Sequence, residues 1–202
     1  MSEKKLNDRR ILRTKMILRE ALLQVLSVKI IEQITVSDIT EAANINRSTF
    51  YLHYQDKEEL IATMIAEKLT LLQESMNSAN ANHTTSGENE EPDTYLLALF
   101  QHFSDHERFY RIMFDKNGEF INAKLYEVIR ESHYHRTSSL NMEQKMLVPL
   151  DIFLDYITSA ILGLIHKWFD QQMVYSPRYM SIQLTRLAYL GTNKVMGIES
   201  SN

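Results

Sequence analysis

The chain predicts an all-α fold. Apolar residues recur at spacings of three and four along most of its 202 residues, no stretch sustains the period-two alternation of a half-buried strand, and only three prolines interrupt the pattern. Hydrophobic residues make up 44% of the chain, enough to bury a core.

The first helix is expected from about Asp8 or Arg9 to Val28, with Leu12, Met16, Ile17, Ala21, Leu22, Val25 and Leu26 as its apolar stripe. A second, very short helix opens with Thr35 as N-cap and Asp38 three residues on, and buries Val36, Ile39, Ala42 and Ala43. It must stop near Asn44, because asparagine tolerates the left-handed conformation that a tight helix-to-helix corner requires, and Ile45 then plugs the gap. Asn46 stands as cap of a third helix, whose first turn carries Arg47, Ser48 and Thr49, followed by Phe50, Tyr51, His53 and Tyr54. Phe50 and Tyr54 are read as core. A fourth helix opens at Asp56, with Glu59 at capping-box spacing, and carries Leu60, Ile61, Met64, Ile65, Leu69 and Leu72 toward Asn77.

Between Asn77 and Pro92 large apolar residues nearly vanish, which predicts an exposed, flexible loop. Beyond it the spacing predicts a helix over 93–103, and a start at Ser104 with Glu107 for the next. Asn117-Gly118 is expected to break that one, and a further helix runs from Phe120 to His135 before a polar loop to Met146. The last two helices are the most apolar: Pro149 to Gln172, and one opening with Ser176-Pro177. The expected organisation is therefore 1–56, a three-helix module; 57–76, a connecting helix; 77–92, the loop; and 93–202, a second helical domain.

Several function classes are excluded by composition. With no cysteine there is no disulfide, thiolate nucleophile or Cys-ligated zinc, and a reducing cytoplasm is the economical location. No run reaches the roughly 18 uninterrupted apolar residues of a membrane span, so no membrane partner is expected. There is no glycine-rich phosphate loop, paired-carboxylate set or Ser-His-Asp arrangement, which argues against an enzyme, and no cofactor is expected. His102 and His106 have the spacing of a helical ligand pair, but no carboxylate and histidine set completes them, so no metal is expected. The net charge of −4 is unevenly spread: residues 1–29 hold eight Lys and Arg against three Asp and Glu, a balance of +5, whereas residues 61–202 balance at −5. The positive end is the one that carries the paired short helices, which favours phosphate contact there.

The density of matches from Thr35 to Leu60 resembles the DNA-binding domain of the tetracycline-repressor (TetR) family of bacterial regulators. It is carried by Thr35, Val36, Asp38, Ile39, Ala42 or Ala43, Ile45, Ser48, Phe50, Tyr51, His53, Tyr54, Lys57 and Leu60. The resemblance covers the first quarter to third of the chain. It departs from the family at Asn44, where glycine is common, and at Ile30, Ile31 and Ile34, which replace a glycine often found after the first helix. With the string Asn46-Arg47-Ser48-Thr49-Phe50-Tyr51, that variant resembles a subset found mainly in Gram-positive bacteria.

The expected DNA contacts are Thr35, Ser37, Arg47, Ser48, Thr49, Tyr51, His53 and Lys57. Arg47 and Thr49 are suited to base edges, while Tyr51, His53, Lys57 and the Thr35 and Ser37 hydroxyls suit phosphates. Arg9, Arg10 and Arg13 either reach the DNA backbone or form a free basic arm. The resemblance further implies a homodimer on a palindromic operator, paired through a four-helix interface of the last two helices. There Phe153, Ile157, Ala160, Ile161, Leu164, Leu184, Leu187 and Gly191 are the candidates; the alternative is that these helices simply finish a monomer core. It also implies an unknown small-molecule effector. Phe103, Phe109, Tyr110, Met113, Phe114, Tyr126, Tyr156 and Trp168 either line its pocket or form an ordinary aromatic core. The expectation is a transcriptional regulator, a repressor relieved by effector; the alternative is a co-regulator whose C-terminal domain takes input from a partner protein.

Overall fold

The computed structural model describes residues 2–81, 91–139 and 146–197. Eight α-helices lie among them: α1 (Ser2–Leu26), α2 (Val36–Ala42), α3 (Arg47–Tyr51), α4 (Lys57–Ala81), α5 (Thr94–Asp105), α6 (Glu107–Ser139), α7 (Leu150–Asp170) and α8 (Pro177–Val195), with a 3-10 turn at Ile31–Gln33. The chain divides into two compact units, residues 1–68 with 108–121 and residues 69–107 with 122–202. Helix α4, and α6 from Arg108 onward, therefore run from the first unit into the second. A boundary at residue 93 is not where the molecule divides, because the first turns of α6 pack with the N-terminal helices.

In the first unit, α1 buries Leu18, Ala21, Leu22, Val25 and Leu26. The predicted stripe is corrected at its start: Leu12 and Met16 are 61% and 67% exposed, and Ile17 is exposed as well. At about 100° per residue, Leu12 and Met16 lie about 120° and 160° around the helix from Leu18, on a different face. Ile34, Ile39, Phe50, Tyr54, Leu60, Ile61, Met64 and Ile65 complete this core, joined by Phe109, Tyr110 and Met113 from α6. Ion pairs of Arg19 with Glu67 and of Arg108 with Glu20 brace its surface.

The second unit is built on α5, the later part of α6, α7 and α8. Its core holds Tyr95, Leu99, Phe100, Phe103, Leu125, Ile129, Leu154, Ile161, Ile165, Trp168 and Leu184. Asp93 organises one end of it. As N-cap of α5 its carboxylate accepts from the Tyr95 and Leu96 amides at 3.0 and 3.3 Å, and Arg136 donates to both of its oxygens at 2.9 and 2.6 Å. The Asp93 amide donates to Thr185 Oγ1 at 2.9 Å, tying α8 to the same point. Tyr95 Oη lies 3.0 Å from Nδ1 of the buried His133, and the Arg136 guanidinium lies over the Tyr95 ring at 4.6 Å.

Several predicted boundaries move. Helix α4 continues to Ala81, so the first residues of the expected loop are helical, and 82–90 lie outside the described residues. Ser104 does not start a helix: α5 runs to Asp105 and closes at His106, whose amide reaches His102 O at 3.1 Å. The break at Asn117-Gly118 is a kink, with non-helical φ and ψ of −134° and 31° at Asn117 inside a helix that continues to Ser139. Helix α7 is the one described helix long and apolar enough to cross a membrane, yet Leu154, Thr158, Ile161, Ile165, Trp168 and Phe169 along it are buried in the unit's own core.

Candidate nucleic-acid interface

The short helices α2 and α3 owe their geometry to local chemistry. Thr35 and Asp38 form a capping box: Asp38 Oδ2 accepts from the Thr35 amide at 2.9 Å, and Thr35 Oγ1 accepts from the Asp38 amide at 3.2 Å. Lys29 Nζ donates to Asp38 Oδ1 at 2.8 Å, and that bond, with those from Thr35, holds the carboxyl down at about 2. At the other end Asn44 adopts φ 51°, its amide reaching Glu41 O and the Ile45 amide reaching Thr40 O, both at 3.1 Å. This pairing is the left-handed helix stop that Asn44 predicts. Asn46 occupies the N-cap of α3, but its side chain makes no capping bond.

Phe50 is fully buried and Tyr54 nearly so, their rings 5.9 Å apart, and between them they anchor α3 to the unit. Arg47, Ser48, Tyr51 and Leu52 are exposed, while Thr49 and His53 are half-buried. At about 100° per residue the four exposed positions fall on one arc of about 140°. The result is a solvent-exposed face that carries a guanidinium and hydroxyls, and the Arg47 guanidinium donates to Ser37 Oγ on α2. Two predicted contacts have other bonds: Thr35 Oγ1 belongs to the capping box, and Lys57 Nζ donates to Ile31 O at 3.1 Å and to Glu32 O at 3.4 Å. At the start of α4, Asp56 Oδ1 accepts from the Glu59 amide at 2.8 Å, while the Glu59 carboxylate reaches back to the Gln55 amide at 2.6 Å rather than to Asp56.

The turn at Ile31–Gln33, which leads directly into the Thr35 cap, is gripped from two sides. Lys57 of α4 holds its carbonyls, and Asn117 Oδ1 at the α6 kink accepts from the Ile31 amide at 2.9 Å. Asn117 is buried and its Nδ2 has no hydrogen-bond partner. Sequence reasoning reads Asn117-Gly118 only as a helix disruption and misses this role, because the partner amide lies 86 residues away.

The predicted effector-pocket residues divide between the two units. Phe109, Tyr110, Met113 and Phe114 belong to the first unit, and Phe103, Tyr126, Tyr156 and Trp168 to the second. Phe103 and Trp168 are core, the indole donating to Tyr175 O at 2.9 Å; Tyr126 donates to Asp155 at 2.8 Å; and Tyr156 is 63% exposed. Of the predicted pairing residues, Ile161 and Leu184 are buried within the unit itself, Leu187 and Gly191 are exposed, and Phe153, Ile157, Ala160 and Leu164 are half-buried. Ile152, Tyr156, Tyr175, Tyr179 and Tyr189 add exposed apolar area to α7, α8 and the turn between them. His102 and His106 stack edge to face at 4.6 Å, and among the described residues no three His, Asp or Glu side chains gather as a metal site.

Comparison with known proteins meets this geometry at both ends of the chain. Residues 18–64 match the family model described as "Bacterial regulatory proteins, tetR family", and residues 90–189 match "Transcriptional regulator C-terminal region". The chain is 26% identical over 190 residues to the uncharacterized HTH-type transcriptional regulator YxbF of Bacillus subtilis (strain 168), covering 94% of this chain and 48% of that protein. It is 28% identical over 141 residues to the HTH-type dhaKLM operon transcriptional activator DhaS of Lactococcus lactis subsp. lactis (strain IL1403), covering 64% of this chain and 70% of that protein. The chain thus spans about half the length of the first relative. Its fold is similar to the crystal structure of a TetR transcriptional regulator from Streptococcus agalactiae 2603V, with a TM-score of 0.64 at 19% identity over 98% of this chain and all of that one. With a capped short helix, a left-handed asparagine corner, an anchored helix with a solvent-exposed face and family matches at both ends, the chain belongs to the TetR family of transcriptional regulators.

Proposed function

We propose that the protein binds double-stranded DNA as a homodimer, laying α3 of each protomer into successive major grooves of a palindromic operator, and so represses transcription until an effector releases it. The observation that carries this is the exposed arc of Arg47, Ser48 and Tyr51 on a helix anchored by buried Phe50 and Tyr54. Arg47, braced by Ser37, is the base reader, Thr49 supports it at the groove edge, and the Ser48 and Tyr51 hydroxyls with His53 hold phosphates. Lys57 and Thr35 act instead as braces of the motif, given their internal bonds. Exposed apolar residues on α7 and α8 supply the pairing surface. The protein works in the cytoplasm, where its DNA lies. Repression needs only occupancy of a promoter, with no surface for polymerase.

A second reading, input from a partner protein rather than a small molecule, is favoured by the places of the predicted pocket aromatics in the second unit, where Phe103 and Trp168 are packed core and Tyr156 is exposed. The relative named as an operon activator adds activation as the opposite sign. Mobility shift on DNA from the protein's own promoter region tests the main reading. A shifted band that weakens with salt is expected, and Arg47→Ala should weaken it by about 1–3 kcal/mol without loss of the dimer. Absence of any shift at low salt refutes it. A reporter gene separates repression from activation.

A further inference from the structure

We infer that Leu52 reads the methyl group of a thymine in each operator half-site. The inference rests on the proposal that the α3 tip enters a major groove. Leu52 is 80% exposed, the most exposed large apolar side chain among the described residues of the first unit. It caps α3 with φ −73° and ψ −16°, so helical geometry continues through it, and its amide is held by Ser48 O at 3.2 Å. It therefore shares the outward arc with Arg47, Ser48 and Tyr51, all of which carry hydrogen-bond donors, whereas Leu52 carries neither donor nor acceptor. The major groove presents donors and acceptors on every base pair but one apolar group, the thymine C5 methyl. An aliphatic side chain on this arc has no other base feature to recognise. At 80% exposure it adds little to the core of its own unit. The guanidinium and hydroxyls beside it match a polyanion and would have to be desolvated against an apolar protein surface, which favours DNA over a second protein as occupant.

The test uses the full-length protein and the promoter fragment it shifts, with thymines replaced one at a time by uracil, which keeps every hydrogen-bonding group and removes only the methyl. One position per half-site should lose affinity by about fourfold, the effect of one buried methyl. In Leu52→Ala, whose exposed position leaves folding untouched, that uracil sensitivity should vanish while the others stay. Cytosine at the same position should gain affinity when replaced by 5-methylcytosine, in the wild type only. If DNA is bound but no uracil-sensitive position disappears in Leu52→Ala, the inference is overturned and the DNA-binding proposal survives. A uniform weakening by Leu52→Ala on thymine and uracil DNA alike, or a change in its oligomeric state, also overturns it. If the wild type binds no DNA, both fall together.

Discussion

Replacing Asn117 with alanine removes the one side-chain acceptor that holds the Ile31 amide. The 2.9 Å bond contributes about 1 kcal/mol net, and the half-buried amide left behind adds a desolvation penalty of about 1 kcal/mol. Against this, the substitution also deletes the buried Nδ2 that has no partner, which recovers a penalty of about 1 kcal/mol. The balance is a loss of about 1 kcal/mol, or about 2–4 °C in Tm for a chain of this size. The loss should be local: hydrogen exchange at Ile31 should accelerate first, because its amide is the donor released. Lys57→Met removes the grip on the same turn from the carbonyl side, so the two substitutions share a partner and should couple by at least about 0.5 kcal/mol in a double-mutant cycle. Operator affinity should fall in both variants, since the turn feeds the Thr35 cap of α2. Urea denaturation, amide exchange and mobility shift read these outcomes. Unchanged exchange at Ile31 in Asn117→Ala, or strictly additive effects, would refute the idea that α4 and α6 jointly hold the turn.

The Asp93–Arg136 pair is part-buried and doubly bonded, so Arg136→Ala should destabilise by about 2–3 kcal/mol in thermal unfolding through loss of both charge-assisted bonds. His133 is buried and burial holds it at about 4 against an ordinary 6.5. Its neutral form is favoured in the folded state, so stability is complete above pH 6.5 and is lost as pH falls toward 4, by about 3 kcal/mol; a His133→Gln variant should flatten that slope in pH-dependent denaturation. Asn44→Ala, at φ 51°, should lower stability by about 1 kcal/mol while Asn44→Gly stays neutral or gains, as calorimetry would show.

Much of the interface was legible residue by residue. Thr35 with Asp38, Asn44 as the left-handed stop, and Ser176-Pro177 at the start of α8 all depend on partners within four residues, and the structure places each as its chemistry predicts. Phe50 and Tyr54 are read as core from the sequence, and both are buried. Asn46 was half legible: its position is a cap, but its side chain caps nothing.

What sequence determined by itself was therefore the helical class, the paired short helices with their corner, and the concentration of positive charge at that end. Each follows from backbone preferences and from side chains near in sequence, which act before any long-range packing exists. Tertiary structure alone decided which face of α1 turns inward, that Phe109 and Tyr110 of α6 join the N-terminal core while Tyr126 of the same helix stays half-buried, and that Lys57 and Asn117 meet the same turn from 26 and 86 residues away. Helical periodicity marks a residue as apolar-facing without saying which neighbour covers it, and a polar side chain declares its partner only when the chain has brought that partner within hydrogen-bonding distance.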